Sequence, residues 1–175
     1  MTDAPKNIVI IGYMGVGKSD IGKALAARLG MKYVDTDSMI EAEAGKSIQD
    51  IFKEDGEAAF RDMETALLER LASVSDHVVS TGGGMVLRAK NVSILRNMGP
   101  VVLLKSTPEV IERRLRSSIN RPLLKVEDRG SRIRQMLKDR GPAYASAADL
   151  TVDTSELSID GAVDKIVKHC GGEKK

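Results

Sequence analysis

The sequence predicts an α/β protein in which a parallel sheet lies between two layers of helices, and three observations carry that reading. Short β-branched runs alternate with segments of helical periodicity, an order that implies parallel pairing through right-handed crossovers. The runs are apolar almost throughout, as strands buried on both faces are. The 175 residues, 42% hydrophobic and 30% charged, fit one globular domain, 1–175, without repeats or low-complexity tracts.

Taken in chain order, Ile8–Ile11 is the first strand. Ile21, Leu25 and Leu29 then share one face of a helix. Tyr33–Val34, between Gly30 and Asp35, is a weaker strand candidate. Ser47-Ile48-Gln49-Asp50 resembles a weak capping box, and Phe60, Met63, Leu67, Leu68 and Leu71 form an apolar helical stripe. Val78–Ser80 and Val101–Leu104 read as further strands. Thr107-Pro108-Glu109 looks like an N-cap followed by proline at the first helical position. Leu150–Val152 is the last strand, Ile159, Val163, Ile166, Val167 and Cys170 line one face of the last helix, and the tail 171–175 is expected to fray.

Composition excludes several classes of function. A net charge of +2 argues for neither nucleic acid nor an anionic membrane as partner. With one cysteine there is no internal disulfide, and Cys170 on an apolar stripe reads as a buried thiol. His77 and His169 stand far apart in sequence, so no zinc site is expected. Aromatic residues make up 3%, so the core must be aliphatic, with many of the eight methionines as fillers. Met1 to Asn7 carries no signal-peptide core, and no run reaches the roughly 18 apolar residues of a membrane span. A cytoplasmic monomer is expected.

Gly12-Tyr13-Met14-Gly15-Val16-Gly17-Lys18-Ser19 satisfies G-x-x-x-x-G-K-[ST] in full. Gly12, Gly15, Val16 and Gly17 would wrap a phosphate with backbone N–H groups, Lys18 would reach the β- and γ-phosphates, and Ser19 would bind Mg²⁺. A glycine-rich turn of no chemical meaning is the alternative. The strand before the loop and the amphipathic helix after it favour a phosphate loop, and with it ATP.

Many such proteins place an Asp at the end of a second core strand to help hold Mg²⁺. Here Val79-Ser80-Thr81-Gly82 and Leu104-Lys105-Ser106 carry no acid, and the nearest supply is Asp35-Thr36-Asp37 after the strand-like Lys32–Val34. Asp37 also reads as an ordinary cap for a helix beginning near Ser38. Beside a phosphate loop, one of the two carboxylates is expected to support Mg²⁺ and the other to accept or orient the acceptor's hydroxyl proton.

Gly82-Gly83-Gly84 follows a strand. It is either a flexible turn or a bare backbone presenting N–H groups to a ligand. From Arg113 to Arg140 ten Lys or Arg stand against three acids, with no Phe, Tyr or Trp to stack single-stranded bases. A segment closing over ATP explains that run better than a nucleic-acid patch. Arg121-Pro122-Leu123-Leu124 would put a guanidinium on the transferring phosphoryl group and exclude water.

These pieces together resemble the shikimate kinase family across nearly the whole chain. In family order they are GYMGVGKS (12–19), DTD (35–37), FR (60–61), TGGG (81–84), RPLL (121–124), R-x-P-x-Y (Arg140 to Tyr144) and VDT (152–154). The resemblance implies a three-layer P-loop NTPase fold, similar to nucleoside-monophosphate kinases, with a five-stranded parallel sheet of order 2-3-1-4-5. It also implies a substrate-binding segment at 36–61 and a lid at 113–127. The implied activity is transfer of the ATP γ-phosphoryl group to the 3-hydroxyl of shikimate, in the chorismate pathway of aromatic amino-acid biosynthesis. Carried over by position, Asp37 binds shikimate hydroxyls and serves as base, and Asp35 lies near Mg²⁺ with Ser19. Arg61 and Arg140 clamp the shikimate carboxylate, while Gly82, Gly83 and Gly84 line its site. Lys18 and Arg121 stabilise the phosphoryl group in flight, Arg114 flanks the adenine, and Asp153 belongs to the nucleotide side. The proline that often follows VDT in the family is absent from 151–158.

Two rivals stand beside this reading. One is another small-metabolite P-loop kinase, such as a gluconate kinase. The other is a non-catalytic nucleotide-binding regulator, disfavoured because Lys18, Ser19, Asp35 and Asp37 are all present and no Asn-Lys-x-Asp guanine motif appears.

Overall fold

The computed structural model describes residues 6–116 and 128–171. Among the described residues there are five parallel strands: β1 (Asn7–Ile11), β2 (Lys32–Asp35), β3 (His77–Ser80), β4 (Val101–Lys105) and β5 (Leu150–Asp153). They line up in the order β2-β3-β1-β4-β5. All five residues of β1 are buried. Because successive side chains on a strand point to opposite faces, a wholly buried strand means that both faces of the sheet are covered.

Helix α1 (Lys18–Leu29) packs on β1, β2 and β3, with α8 (Ile159–Cys170) beside it and reaching β5. α4 (Glu57–Leu71) lies on α5 (Ala89–Met98), which rests on β1, while α7 (Arg129–Ala147) packs on β4 and on α6 (Pro108–Leu115). The short helices α2 (Thr36–Ala44) and α3 (Ile48–Glu54) bridge β2 to α4, so the segment 36–61 is helical throughout apart from two turns. Ser47 and Thr107 cap α3 and α6 as their sequences suggest, accepting from the N–H groups of Asp50 and Val110. Among the described residues no helix is long and apolar enough to cross a membrane.

Tyr33–Val34, the weaker strand candidate, is the centre of β2. Gly22 explains how it fits. A Cβ there would lie 2.6 Å from the Tyr33 ring, so glycine lets the ring pack flat on α1. The register pairs Asp35 with Ser80, and Ser80 with Ile10, which sets the ends of β2, β3 and β1 in one row beneath the loop after β1. Cys170 is half-buried, and burial pushes its thiol up to about 11. Residues 117–127 of the expected lid, Arg121 among them, and the tail beyond Gly171 lie outside the described residues.

Candidate active site

The loop between β1 and α1 owes its shape to its glycines. Gly12, Gly15 and Gly17 have φ of 147°, 78° and 97°, which side chains strongly disfavour. At Gly12 a Cβ would also run into the Leu104 carbonyl. Gly17 caps α1 without any side-chain hydrogen bond, leaving the first-turn N–H groups and the positive end of the helix dipole to the cleft. Val16 is buried, so what it offers a ligand is its backbone. Lys18 Nζ donates to the Gly12 and Tyr13 carbonyls, both at 2.8 Å, and so lies folded over the loop.

Asp35 and Asp37 divide the work differently from the local sequence pattern. Asp35 is the N-cap of α2, its Oδ1 accepting from the Ser38 N–H at 3.0 Å, while the Tyr33 hydroxyl donates to Oδ2 at 3.4 Å. The helix begins at Thr36, so the capping role read for Asp37 belongs to Asp35. Asp37 sits in the first turn, with Oδ1 buried beneath Gly82.

The three glycines are needed for space. None of Gly82, Gly83 and Gly84 has a positive φ. A Cβ on Gly82 would strike Asp37 Oδ1, and one on Gly84 would lie 2.6 Å from Arg61 Cζ. One on Gly83 would sit 3.5 Å from both Arg140 Nη1 and the Tyr144 hydroxyl. The turn is also hydrogen-bonded into the fold. The Gly82 N–H donates to Thr36 Oγ1 at 3.0 Å and the Tyr144 hydroxyl donates to the Gly83 carbonyl, so the Gly82 N–H is engaged within the fold.

Arg61 is held by two carboxylates of its own helix. Nη1 donates to Glu64 Oε2 at 2.7 Å and Nη2 to Glu57 Oε1 at 3.2 Å. Burial works against its charge, but these two acids outweigh it and hold its pKa above the usual value. Glu64 has 0% side-chain exposure, and burial raises its pKa, with Asp37 adding to the rise and Arg61 opposing it. Its Oε1 is buried with no hydrogen-bond partner among the described residues. Glu64 is absent from the sequence reading. The signal was there: Phe60, Glu64, Leu67, Leu68 and Leu71 are the buried residues of one helix face, and a carboxylate on such a face needs a partner. Tyr144, also buried, has its pKa raised by burial against the opposing charge of Arg140 beside it.

A cleft of about 340 Å³ gathers these groups. Its wall includes Gly15, Gly17, Lys18, Ser19, Asp35, Asp37, Arg61, Glu64, Gly82, Gly83, Gly84 and Arg140, with Phe52 and Phe60 as an apolar side. Arg114 and Asp153 are not part of that wall. Arg114 donates to the carbonyls of Gly15 and Thr154, and the Asp153 carboxylate turns back to accept from the N–H and hydroxyl of Ser155, which lowers its pKa.

A 2-3-1-4-5 parallel sheet with a phosphate loop after its central strand, and an acid- and arginine-lined cleft beside that loop, defines a P-loop kinase of the nucleoside-monophosphate-kinase-like architecture. Comparison with known proteins gives the family. The sequence model for shikimate kinase matches residues 14–171. The shikimate kinase of Caldanaerobacter subterraneus subsp. tengcongensis is 42% identical over 93% of this chain and 95% of its own. That of Pelotomaculum thermopropionicum is 44% identical over 93% and 94%. The structure of Acinetobacter baumannii shikimate kinase in complex with shikimate superposes with a TM-score of 0.90 at 36% identity, over 98% of this chain and 96% of that one. The chain belongs to the shikimate kinase family, and it is an ATP-dependent kinase.

Proposed function

We propose that the cleft holds shikimate against the phosphate loop and transfers the γ-phosphoryl group of ATP to its 3-hydroxyl, with the residues in the following roles. The observation that carries the reading is that Asp37, Arg61, Arg140 and the three glycines share one cleft with Lys18 and Ser19. An acceptor with one carboxylate and several hydroxyls suits such a wall. Arg61 and Arg140 would bind the carboxylate, for which the planar fork of guanidinium is well shaped. Glu64 and Glu57 would keep Arg61 aimed while the substrate comes and goes.

Asp37, which shares the cleft wall with Lys18 and Ser19, would accept the proton of the attacking hydroxyl. As that oxygen bonds to the γ-phosphorus, the bond from the γ-phosphorus to the β–γ bridging oxygen breaks and ADP leaves with the electron pair. Lys18 would swing from the Gly12 and Tyr13 carbonyls onto the phosphates, and Arg121 would add charge from the lid side. In such transfers positioning and electrostatics supply most of the rate.

The donor set beside the loop fits Mg²⁺. Ser19 offers a hydroxyl and Asp35 a carboxylate, the hard oxygen ligands that this ion takes, usually alongside waters and nucleotide phosphates. Among the described residues no group of three or more His, Cys, Asp or Glu gathers to make an all-protein cage. Bound there, Mg²⁺ would neutralise charge on the β- and γ-phosphates. A cytoplasmic monomer meeting ATP in solution completes the proposal. The test is ADP release with and without shikimate at saturating ATP and Mg²⁺. Strong stimulation is expected, and equal rates would remove shikimate as the acceptor.

A further inference from the structure

Two residues outside the cleft wall hold two carbonyls of the phosphate loop, those of Gly15 and Val16. Thr154, which follows β5, is 2% exposed. Its hydroxyl lies 2.8 Å from the Val16 carbonyl, to which it donates, with the Lys105 carbonyl at 3.2 Å as a second acceptor. Its N–H donates to the same Lys105 carbonyl at 2.8 Å, which ties it to β4. Arg114, on α6, donates from Nη1 to the Gly15 carbonyl at 3.2 Å and to Thr154 Oγ1 at 3.3 Å, and from Nη2 to the Thr154 carbonyl at 2.8 Å.

A peptide unit is planar and trans, so a carbonyl and the N–H that follows it point in opposite directions. Drawing the Gly15 and Val16 carbonyls toward Arg114 and Thr154 therefore aims the Val16 and Gly17 N–H groups the other way, toward the cleft that Gly15, Gly17 and Lys18 line. The loop needs such a brace. Gly15 and Gly17 carry no Cβ, so little in their own chemistry stops the neighbouring peptide units from flipping.

We infer that Thr154, braced by Arg114, is a positioning residue for the nucleotide: it fixes in advance the direction of two N–H donors that receive the triphosphate. A loop already so arranged gives up less freedom on binding. The inference rests on the reading that this loop takes the triphosphate, and it gives Arg114 a second duty beside any contact with adenine.

The test compares Thr154→Val, Thr154→Ser and Arg114→Lys with the wild-type enzyme in three constants: the KM for ATP, the Ki of inorganic tripolyphosphate against ATP, and the KM for shikimate. Tripolyphosphate has no adenine, so it reports on the loop alone. Thr154→Val removes the donor and strands a carbonyl. It is expected to raise the ATP KM and the tripolyphosphate Ki together, about tenfold, with the shikimate KM within twofold of wild type. Thr154→Ser keeps the hydroxyl and should stay within twofold on all three. Arg114→Lys, which cannot span three acceptors, should move the same two constants, and it decides the matter if Thr154→Val does not fold. Unchanged constants, a rise for ATP without one for tripolyphosphate, or equal losses in the Val and Ser variants would overturn the inference. If tripolyphosphate fails to compete with ATP in the wild-type enzyme, the reading of the loop falls and the inference with it.

Discussion

Replacing Gly84 with alanine isolates the anion clamp from everything else in the cleft. Its backbone, at φ −98° and ψ −1°, suits alanine, so the substitution introduces no backbone strain. The added Cβ, however, would stand 2.6 Å from Arg61 Cζ. A guanidinium is the far end of a flexible chain and would swing aside, but Arg61 is tied to buried Glu64 at 2.7 Å. Losing a hydrogen bond between charged groups costs about 1.5–3 kcal/mol. Falling on the placement of Arg61, that loss predicts a shikimate KM raised roughly ten- to hundredfold, since each ~1.4 kcal/mol is a factor of ten. The melting temperature should fall by only a few degrees. The ATP KM should hold, because nothing on the phosphate loop moves. A coupled assay of ADP release, titrated in turn with shikimate and with ATP, gives both constants. A shikimate KM within threefold of wild type would refute the reasoning, because Arg61 would then be either free to move or irrelevant to the acceptor.

Other substitutions probe the remaining roles. Asp37→Ala should lower kcat by more than about a hundredfold, the lower range for a positioned base, while equilibrium binding of ATP stays near normal; near-normal turnover would take Asp37 out of the chemistry. Arg61→Lys should raise the shikimate KM about tenfold at unchanged ATP KM, since an ammonium cannot reproduce the two-pronged contact; an unaltered KM would count against the clamp. Burial raises the Glu64 pKa above its ordinary 4.5, so folding works against its charged form relative to the unfolded chain. The stability of wild type relative to Glu64→Gln should therefore be greatest near pH 4.5 and decline as pH rises through the raised value. Urea unfolding across pH 4.5 to 8 measures this, and a gap that is flat or widens with pH contradicts it. Cys170, with its thiol pushed up to about 11, should react with a thiol reagent at pH 8 far more slowly than an exposed cysteine; comparable rates would show the thiol to be open.

Much of the fold was legible because its strands are apolar runs and its loops carry their own chemistry. Ile8–Ile11, Val78–Ser80, Val101–Leu104 and Leu150–Val152 each fall within one residue of the observed strand ends. The phosphate loop was legible for the same local reason, since its glycines, Lys18 and Ser19 act through their immediate backbone. The capping of α2 was not. Asp35, Thr36, Asp37 and Ser38 are all able to cap a helix, and only the position of β2 decides that Asp35 does so. Glu64 was hidden because a charged residue on a helix is ordinarily solvated, and its burial depends on Arg61 and on the glycine turn from β3. The triple glycine announced a close approach. That the approaching groups are the Asp37 carboxylate and the Arg61 guanidinium required the packing of α2 and α4 against that turn.

The central claim is that one small anion is gripped at its carboxylate by Arg61 and Arg140 while a hydroxyl faces Asp37 beside the phosphate loop. A crystal structure with shikimate and ADP tests it most directly. The account predicts the shikimate carboxylate at about 2.7–2.9 Å from both guanidinium groups and a hydroxyl within hydrogen-bond reach of Asp37. Shikimate bound in well-defined density away from these three side chains would contradict it.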